Sequence, residues 1–163
     1  MSGVRRPFWE PVATAACAAM AIAAIGGTLT ELGPWYHSLK EPAWKPPDAA
    51  FGLIWTAIFS LAAAAGVLAW RAERTVRGRQ WILGLFAING FFNVLWSLVF
   101  FKLHRPDFSL IEVAALWLSI LVLIAFIYSR SILASLLMVP YLIWVSIAGV
   151  LNYQVVLLNG PFS

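Results

Sequence analysis

Residues 49–70 read AAFGLIWTAIFSLAAAAGVLAW, a run without a charged residue that decides the fold class of this chain. A transmembrane helix needs about 20 consecutive apolar residues. Four further charge-free runs lie at residues 11–30, 80–101, 113–129 and 131–163. Of the 163 residues, 62% are hydrophobic and 11% are charged, whereas soluble domains carry about 25% charged residues. The sequence therefore predicts an all-α membrane protein built as a bundle of five transmembrane helices.

The predicted spans fill almost the whole chain and leave no room for a second domain. We expect them near residues 10–31, 49–71, 80–102, 108–128 and 132–158, within a single domain of residues 1–163. Asp48 directly follows Pro46 and Pro47, and its short acidic side chain suits the N-cap of the second helix.

Positive charge is unevenly divided between the two ends of the predicted bundle. One end carries seven basic residues, whereas the end with the 33–47 connection carries four. The larger group consists of Arg5, Arg6, Arg71, Arg74, Arg77, Arg79 and Arg130. Because cytoplasmic loops are enriched in Lys and Arg, we expect the N-terminus in the cytoplasm and the 33–47 connection outside. The net charge of +4 then comes from basic residues that set the orientation of the chain in the membrane, and no nucleic-acid partner is expected.

The connection at residues 33–47 reads GPWYHSLKEPAWKPP and is unusual for a linker between helices. Proline fixes φ and removes a backbone donor, and the residue before each proline is pushed towards extended geometry. We therefore expect an ordered, stiff, non-helical loop. Its two Trp residues and one Tyr would present flat faces beside the membrane, as the lid or wall of a ligand site.

Asparagine residues mark the inner faces of two predicted helices. These faces carry Asn89, Asn93, Trp96 and Phe100 on the third span, and Tyr141, Trp144, Ala148 and Asn152 on the fifth. An amide that faces hydrocarbon is costly, so Asn93 and Asn152 are expected to point inward. Their inward partners are either neighbouring helices or a ligand.

Three other features of the chain bear on chemistry. Glu112 is the one carboxylate expected inside the membrane, either as an interfacial residue that reaches water or as a proton-linked or packing group. His37 and His104 lie in loops, so no histidine within a span is available to ligate haem, and no metal site is predicted. A stripe of small residues predicts close packing of the first helix within the bundle or between subunits. The stripe consists of Ala15, Ala19, Ala23 and Gly27.

Aromatic, proline and asparagine motifs in the order and spacing of one known family extend over nearly the whole chain. The loop and second span carry Trp35, Tyr36, Leu39, Lys40, Pro42, Trp44, Pro46, Pro47, Phe51 and Trp55. The third span carries Asn93, Trp96, Ser97, Phe100 and Phe101, and the fifth carries Pro140, Tyr141, Trp144, Leu151, Asn152 and Tyr153. In these motifs the chain resembles the translocator protein family, also called TspO/MBR, tryptophan-rich sensory proteins or peripheral benzodiazepine receptors, and in particular its bacterial members.

The resemblance implies a membrane receptor or sensor, commonly a homodimer, in the bacterial cell envelope. Its ligands would be tetrapyrroles, such as protoporphyrin IX and haem, and isoquinoline- or benzodiazepine-type compounds, with no obligatory cofactor. The alternatives are transport of porphyrins or sterols, and light- or oxygen-dependent porphyrin breakdown with Trp55 and Trp144 as redox-active residues. No residue set supplies a conventional catalytic acid, base or nucleophile.

The resemblance also implies which residues form a ligand pocket beneath the first loop. The implied residues are Tyr36, Trp44, Pro47, Phe51, Trp55, Phe92, Asn93, Trp96, Tyr141, Trp144, Ala148 and Asn152. Stacked aromatic rings suit a planar macrocycle, and Lys40 or Lys45 would meet its carboxylates. The animal cholesterol motif needs a basic residue soon after Tyr153, and residues 154–158 contain none, which argues against a sterol ligand.

Overall fold

The protein is helical throughout its secondary structure over residues 9–162, which are the residues described by the computed structural model. The helices are α1 (Glu10–Leu29), α2 (Pro34–Ser38), α3 (Asp48–Ala72), α4 (Val76–Ser97), α5 (Pro106–Tyr128) and α6 (Ile132–Asn159). A short π-helical segment, Leu98–Lys102, continues α4. Within these residues, five helices are long and apolar enough to cross a membrane, which confirms the predicted fold class. Arg5 and Arg6, which entered the charge comparison, lie outside the described residues.

Local sequence signals explain two helix starts that differ from the expected ones. The hydroxyl of Thr75 accepts a hydrogen bond of 3.0 Å from the N–H of Gly78, so α4 begins at Val76 and not at residue 80. Asp48 was expected to cap α3, but the cap position is Pro47, whose side chain cannot accept a hydrogen bond. The prediction is wrong because the Asp48 carboxylate is engaged by Lys45 instead, at 2.6 Å.

The 33–47 loop contains one helical turn that its proline content did not predict. Residues Pro34–Ser38 form α2, so the expectation of a wholly non-helical loop is wrong. Pro34 occupies the first helical position, where its missing N–H costs nothing and its fixed φ suits a helix. The helical turn buries Tyr36 against the bundle, and a second turn, closed by a hydrogen bond of 3.0 Å from the Lys45 N–H to the Pro42 carbonyl, follows within the loop.

The antiparallel pair α5 and α6 forms the centre of the bundle. α4 packs on α5, α3 packs on α6, and α1 lies across α3 and α4. The core consists of fully buried side chains from several helices, among them Ala65, Ala69, Ile120, Leu123, Ile127, Ala134 and Met138. The inward asparagines are buried as predicted, because Asn93 is 6% exposed and Asn152 is 1% exposed.

Helix α1 is the most peripheral of the long helices. None of its residues is fully buried, and only part of its small-residue stripe packs within the chain. Ala15 and Ala19 are half-buried, whereas Ala23 and Gly27 are exposed. The close approach of α1 to α4 occurs instead at Gly90, where a Cβ atom would lie 2.6 Å from Cδ1 of Ile22.

A carboxylate at the end of α3 closes the end of the bundle that lies away from the 33–47 loop. Glu73 accepts hydrogen bonds from the N–H and hydroxyl of Thr75 and from Nε of Arg130, at 2.8, 2.9 and 2.6 Å. Gly78 packs directly beneath this carboxylate, with no room for a Cβ atom. The cluster ties the α3–α4 connection to the α5–α6 turn. These hydrogen bonds lower the pKa of Glu73 to about 2.

Candidate functional site

At the opposite end, hydrogen bonds between residues far apart in sequence hold the 33–47 loop onto α6. The side chain of Asn159 accepts from the Lys40 N–H at 2.7 Å and donates to the Lys40 carbonyl at 2.9 Å. The indole N–H of Trp44 donates to Gln154 at 2.8 Å. The aromatic loop is therefore ordered, and it covers one end of the helix bundle.

A second set of contacts joins the loop to the segment between α4 and α5. The indole of Trp35 stacks on the imidazole of His104, with ring centroids 4.1 Å apart and planes inclined by 16°. Lys102 forms an ion pair of 2.7 Å with Glu31, at the other end of the α1–α2 connection. His104 has a φ of +54°, a left-handed conformation, and it bends the chain towards Trp35.

The loop carries its own charge network above the bundle. Nζ of Lys45 lies 2.6 Å from carboxylate oxygens of both Glu41 and Asp48 and donates to the Tyr36 hydroxyl at 2.8 Å. Burial alone would lower the pKa of Lys45, but hydrogen bonds to Asp48 and Glu41 raise it. Burial raises the pKa of Tyr36 to about 12, so this phenol stays neutral and donates to Asp48.

A small cavity of about 40 Å³ lies beneath this network. Known ligand pockets are lined mainly by apolar and aromatic side chains. The lining here has that character and comes from the loop, α3, α4, the π-helical segment and α6. It consists of Tyr36, Leu39, Glu41, Lys45, Phe51, Trp96, Phe100, Phe101, Ala148, Leu151, Asn152 and Val155.

The amide of Asn152 fixes one wall of the cavity by joining three helices. Its oxygen accepts from the Trp96 indole at 3.2 Å and from the Ser109 hydroxyl at 2.7 Å, while its nitrogen donates to the Pro106 carbonyl at 2.8 Å. This amide was expected to face either neighbouring helices or a ligand, and its hydrogen-bond partners lie on neighbouring helices. Asn93 behaves similarly and donates to the Tyr141 hydroxyl at 3.0 Å.

Below the cavity, four of the predicted site residues form a packed aromatic layer. Trp55 meets Tyr141 edge-on, with ring centroids 6.0 Å apart, and meets Trp144 edge-on at 6.5 Å. Phe51 reaches Trp144 from the cavity side at 5.5 Å. Trp144 is 7% exposed, and its indole N–H makes no hydrogen bond within the described residues.

The structure therefore divides the predicted site residues into groups. Five line the cavity, namely Tyr36, Phe51, Trp96, Ala148 and Asn152. Four lie below the cavity, namely the half-buried Trp55 and the buried Asn93, Tyr141 and Trp144. The other three lie elsewhere. Trp44 is 45% exposed, Pro47 is exposed, and Phe92 lines a separate groove between α4 and α5 with Leu85, Ile88 and Leu118.

Sequence reasoning left out several residues that line the cavity. Phe100 and Phe101 belong to the quoted third-span motif, but a regular α-helix would not turn both towards the loop. The π-helical segment at Leu98–Lys102 changes the helical register there, and both rings are buried. Leu151 and Val155 follow Ala148 on α6 at helical spacing, a signal that the sequence does contain.

Comparison with known proteins identifies the family. The TspO/MBR family model matches residues 13–158 of this chain, almost its full length. The chain belongs to the TspO/MBR family. Among curated relatives, Protein CrtK of Rhodobacter capsulatus is 37% identical over 86% of this chain and 88% of its own length. The tryptophan-rich protein TspO of Chlorobaculum tepidum is 36% identical, over 86% and 90%.

The match extends beyond bacteria. The human Translocator protein is 27% identical over 74% of this chain and 72% of its own length. Membership in the TspO/MBR family and the five apolar helices together establish a multi-pass membrane protein. The motifs on which the resemblance rested are thus those of a true family member.

Proposed function

We propose that this TspO/MBR-family membrane protein is a receptor or sensor that binds tetrapyrroles in the cavity beneath the 33–47 loop. The observation that carries the proposal is the lining of the cavity, because rings from the loop, α3, α4 and the π-helical segment converge there. The cavity is small, so binding of a macrocycle would require the loop to move outward. A planar apolar macrocycle buries its faces best against such rings. Isoquinoline- and benzodiazepine-type compounds, also flat and apolar, would occupy the same space.

The charge network of the loop would receive the carboxylates of a porphyrin. Lys45 lines the cavity, but its ammonium group is already paired with Glu41 and Asp48. Binding would therefore exchange Glu41 for a ligand carboxylate, since the Glu41 side chain is 32% exposed and can move into water. Lys40 is exposed on the outer side of the loop and would contribute only long-range attraction.

The direct test is a titration of the purified protein with protoporphyrin IX, followed by quenching of tryptophan fluorescence. Ala148→Leu adds side-chain volume to a cavity wall, so we expect the affinity to fall about tenfold, a loss of about 1.4 kcal/mol. Ala57→Leu is the matched control, because Ala57 is exposed on α3. Equal affinity in the wild type and both variants would refute binding in this cavity.

A homodimer in the bacterial envelope is part of the proposal. The exposed C-terminal half of the small-residue stripe on α1, Ala23 and Gly27, supports a close helix–helix contact between two copies. Cross-linking of the protein in native membranes should yield a dimer that is weakened by Gly27→Leu. If both the wild type and Gly27→Leu are monomeric, the proposed homodimer is refuted.

One observation favours a second candidate function, the light- and oxygen-dependent breakdown of a bound porphyrin. Trp55, Trp144 and Tyr141 are redox-active side chains below the cavity, and the Trp55 ring makes edge contacts with both of the others. Oxygen would be the oxidant. This activity requires a ring-opened product that Trp55→Phe abolishes while protoporphyrin binding persists. Unaltered porphyrin after illumination of the wild-type complex in air would exclude it.

A further inference from the structure

The α3–α4 connection and the helix ends beside it carry a dense positive charge. Residues 70–81 read WRAERTVRGRQW, with four arginines and a single carboxylate, Glu73. Glu73 is 8% exposed and is already paired with Arg130 at 2.6 Å. No carboxylate of this segment is therefore left to pair with its arginines at the surface.

Two of these arginines, Arg74 and Arg77, have no partner among the described residues. Both are exposed, and neither makes a hydrogen bond or an ion pair with residues 9–162. The guanidinium group of arginine stays charged under all physiological conditions. The loop end of the bundle differs, because three of its four basic residues are paired with carboxylates, namely Lys45, Lys102 and Arg105. The charge of the α3–α4 connection is thus left for groups outside the chain to balance.

A third arginine, Arg79, is fixed in place beside the other two. Its Nε donates to the Glu73 carbonyl at 3.1 Å, and its guanidinium carbon lies 5.4 Å from the centroid of the Trp70 ring. Because Arg74 directly follows Glu73, the Arg79 side chain lies against the backbone from which Arg74 projects. The terminal nitrogens of Arg79 donate to no described residue. A held guanidinium group with free terminal nitrogens can bind a phosphate through two hydrogen bonds.

The arginines lie at the depth of the lipid headgroups. α3 ends at Ala72 and α4 begins at Val76, so each arginine is within about one helical turn of the end of a membrane-spanning helix. Trp70 and Trp81 flank the segment, and Trp81 is 54% exposed. Tryptophan is enriched at the membrane–water interface. The anion that is most abundant at this depth is the phosphodiester of a phospholipid.

We propose that the α3–α4 connection binds the headgroup of an anionic phospholipid. Its phosphodiester would accept hydrogen bonds from Arg79, with Arg74 and Arg77 supplying further positive charge. Clusters of Lys and Arg next to a membrane-spanning helix attract anionic lipids in this way. A zwitterionic lipid also has a phosphodiester, but its ammonium group would meet unpaired guanidinium groups of like charge. The surface should therefore select lipids that have a net negative charge.

The exposed face of α4 continues this surface towards the hydrocarbon. Val76 is 74% exposed and Leu83 is 50% exposed. They are seven residues apart and so lie on one face of the helix. Acyl chains would lie along this face below the bound headgroup. The lipid site lies at the opposite end of the bundle from the cavity, and the inference does not depend on tetrapyrrole binding.

The test measures lipid binding to the purified full-length protein in a non-ionic detergent by native mass spectrometry. Phosphatidylglycerol and phosphatidylcholine with the same acyl chains are titrated separately, and the dissociation constants of the first lipid adduct are compared. We expect the wild type to prefer phosphatidylglycerol by about tenfold or more. Arg77→Gln should reduce the preference about fivefold, the effect of one arginine near a membrane surface. Arg77→Lys keeps the charge and should retain most of it.

Lys40→Gln is the matched control, since it removes one exposed positive charge from the other end of the bundle. It should leave the preference unchanged, which separates a site at the α3–α4 connection from attraction by net charge. Circular dichroism checks that each variant folds. Equal affinities of the wild type for the two lipids, or equal losses in Arg77→Gln and Lys40→Gln, would overturn the inference.

A soluble competitor distinguishes a lipid site from a site for free phosphate esters. Glycerophosphoglycerol has the headgroup of phosphatidylglycerol without its acyl chains. At the same concentration as the lipid it should not displace phosphatidylglycerol, because it gains nothing from the apolar face of α4. Displacement would assign the arginines to a soluble phosphate ester and would overturn the assignment to a membrane lipid.

Discussion

At the end of the bundle where Glu73 meets Arg130, the helices pack through side chains with no exposed surface, such as Ala65, Ala69 and Ala134. At the end beneath the 33–47 loop, aromatic rings surround a cavity, and the loop is attached by hydrogen bonds at its edge. Small residues at helix contacts allow close packing in membranes. The two ends therefore differ in packing: one is closed by close helix contacts, and the other is where we propose that a ligand binds.

The amide of Asn152 connects α6 to α4 and α5, which run between the two ends of the bundle. Its removal should therefore have the largest effect on stability. Asn152→Ala leaves the Trp96 indole N–H, the Ser109 hydroxyl and the Pro106 carbonyl without their partner. We expect the free energy of unfolding to fall by about 3 kcal/mol. Reversible unfolding in mixed micelles, monitored by circular dichroism, measures the change. A decrease in the free energy of unfolding of less than about 1 kcal/mol would show that other groups replace the hydrogen bonds of Asn152.

Gly78→Ala tests whether the closed end provides stability without affecting the ligand site. The added Cβ atom would displace the Glu73 carboxylate from its hydrogen bonds to Thr75 and Arg130. We expect the midpoint of thermal unfolding to fall by roughly 5 °C, with protoporphyrin affinity unchanged.

Gly84→Ala is the control for that variant. Gly84 lies on the same helix, and a Cβ atom there would meet no described residue within 4 Å. Its replacement should be neutral or slightly stabilising, because Ala favours helix over Gly. Equal destabilisation by both variants would contradict the role given to the Glu73 cluster.

Asn159→Ala tests whether the loop opens independently of the bundle. It removes both hydrogen bonds to Lys40, a loss of about 1 kcal/mol. We expect amide hydrogen exchange of the loop to rise several-fold, while exchange in α5 stays constant. Faster exchange in α5 as well would show that loop and bundle open together.

Acid should protonate Glu73 in the folded protein only at a lower pH than it protonates an ordinary glutamate. The pKa of Glu73 is about 2 in the folded protein against an ordinary value of 4.5, so unfolded chains take up the proton first as pH falls. Its stabilising contribution is complete above pH 4.5 and is lost progressively towards pH 2. The difference in thermal midpoint between wild type and Glu73→Gln should therefore shrink across that range. A constant difference would show that the carboxylate is not the titrating group.

The number of spans, their positions and the inward direction of Asn93 and Asn152 followed from the sequence. Each of these depends on a local property, because the cost of placing a charge or an amide in hydrocarbon is set by the residue and its immediate neighbours. The motifs likewise placed the aromatic residues of the loop, α3, α4 and α6 on the correct elements.

The tertiary structure alone decided how those residues are divided between the cavity and the layer beneath it. Phe92 and Asn93 are adjacent in sequence, but one residue corresponds to about 100° around a helix, so Phe92 faces a different groove. The contact between Lys40 and Asn159 spans 119 positions, and the pairing of Lys45 with Glu41 and Asp48 depends on the fold of the loop. That Glu112 has no hydrogen-bond partner within residues 9–162 could not be read from the sequence either, because it depends on every helix around that carboxyl group.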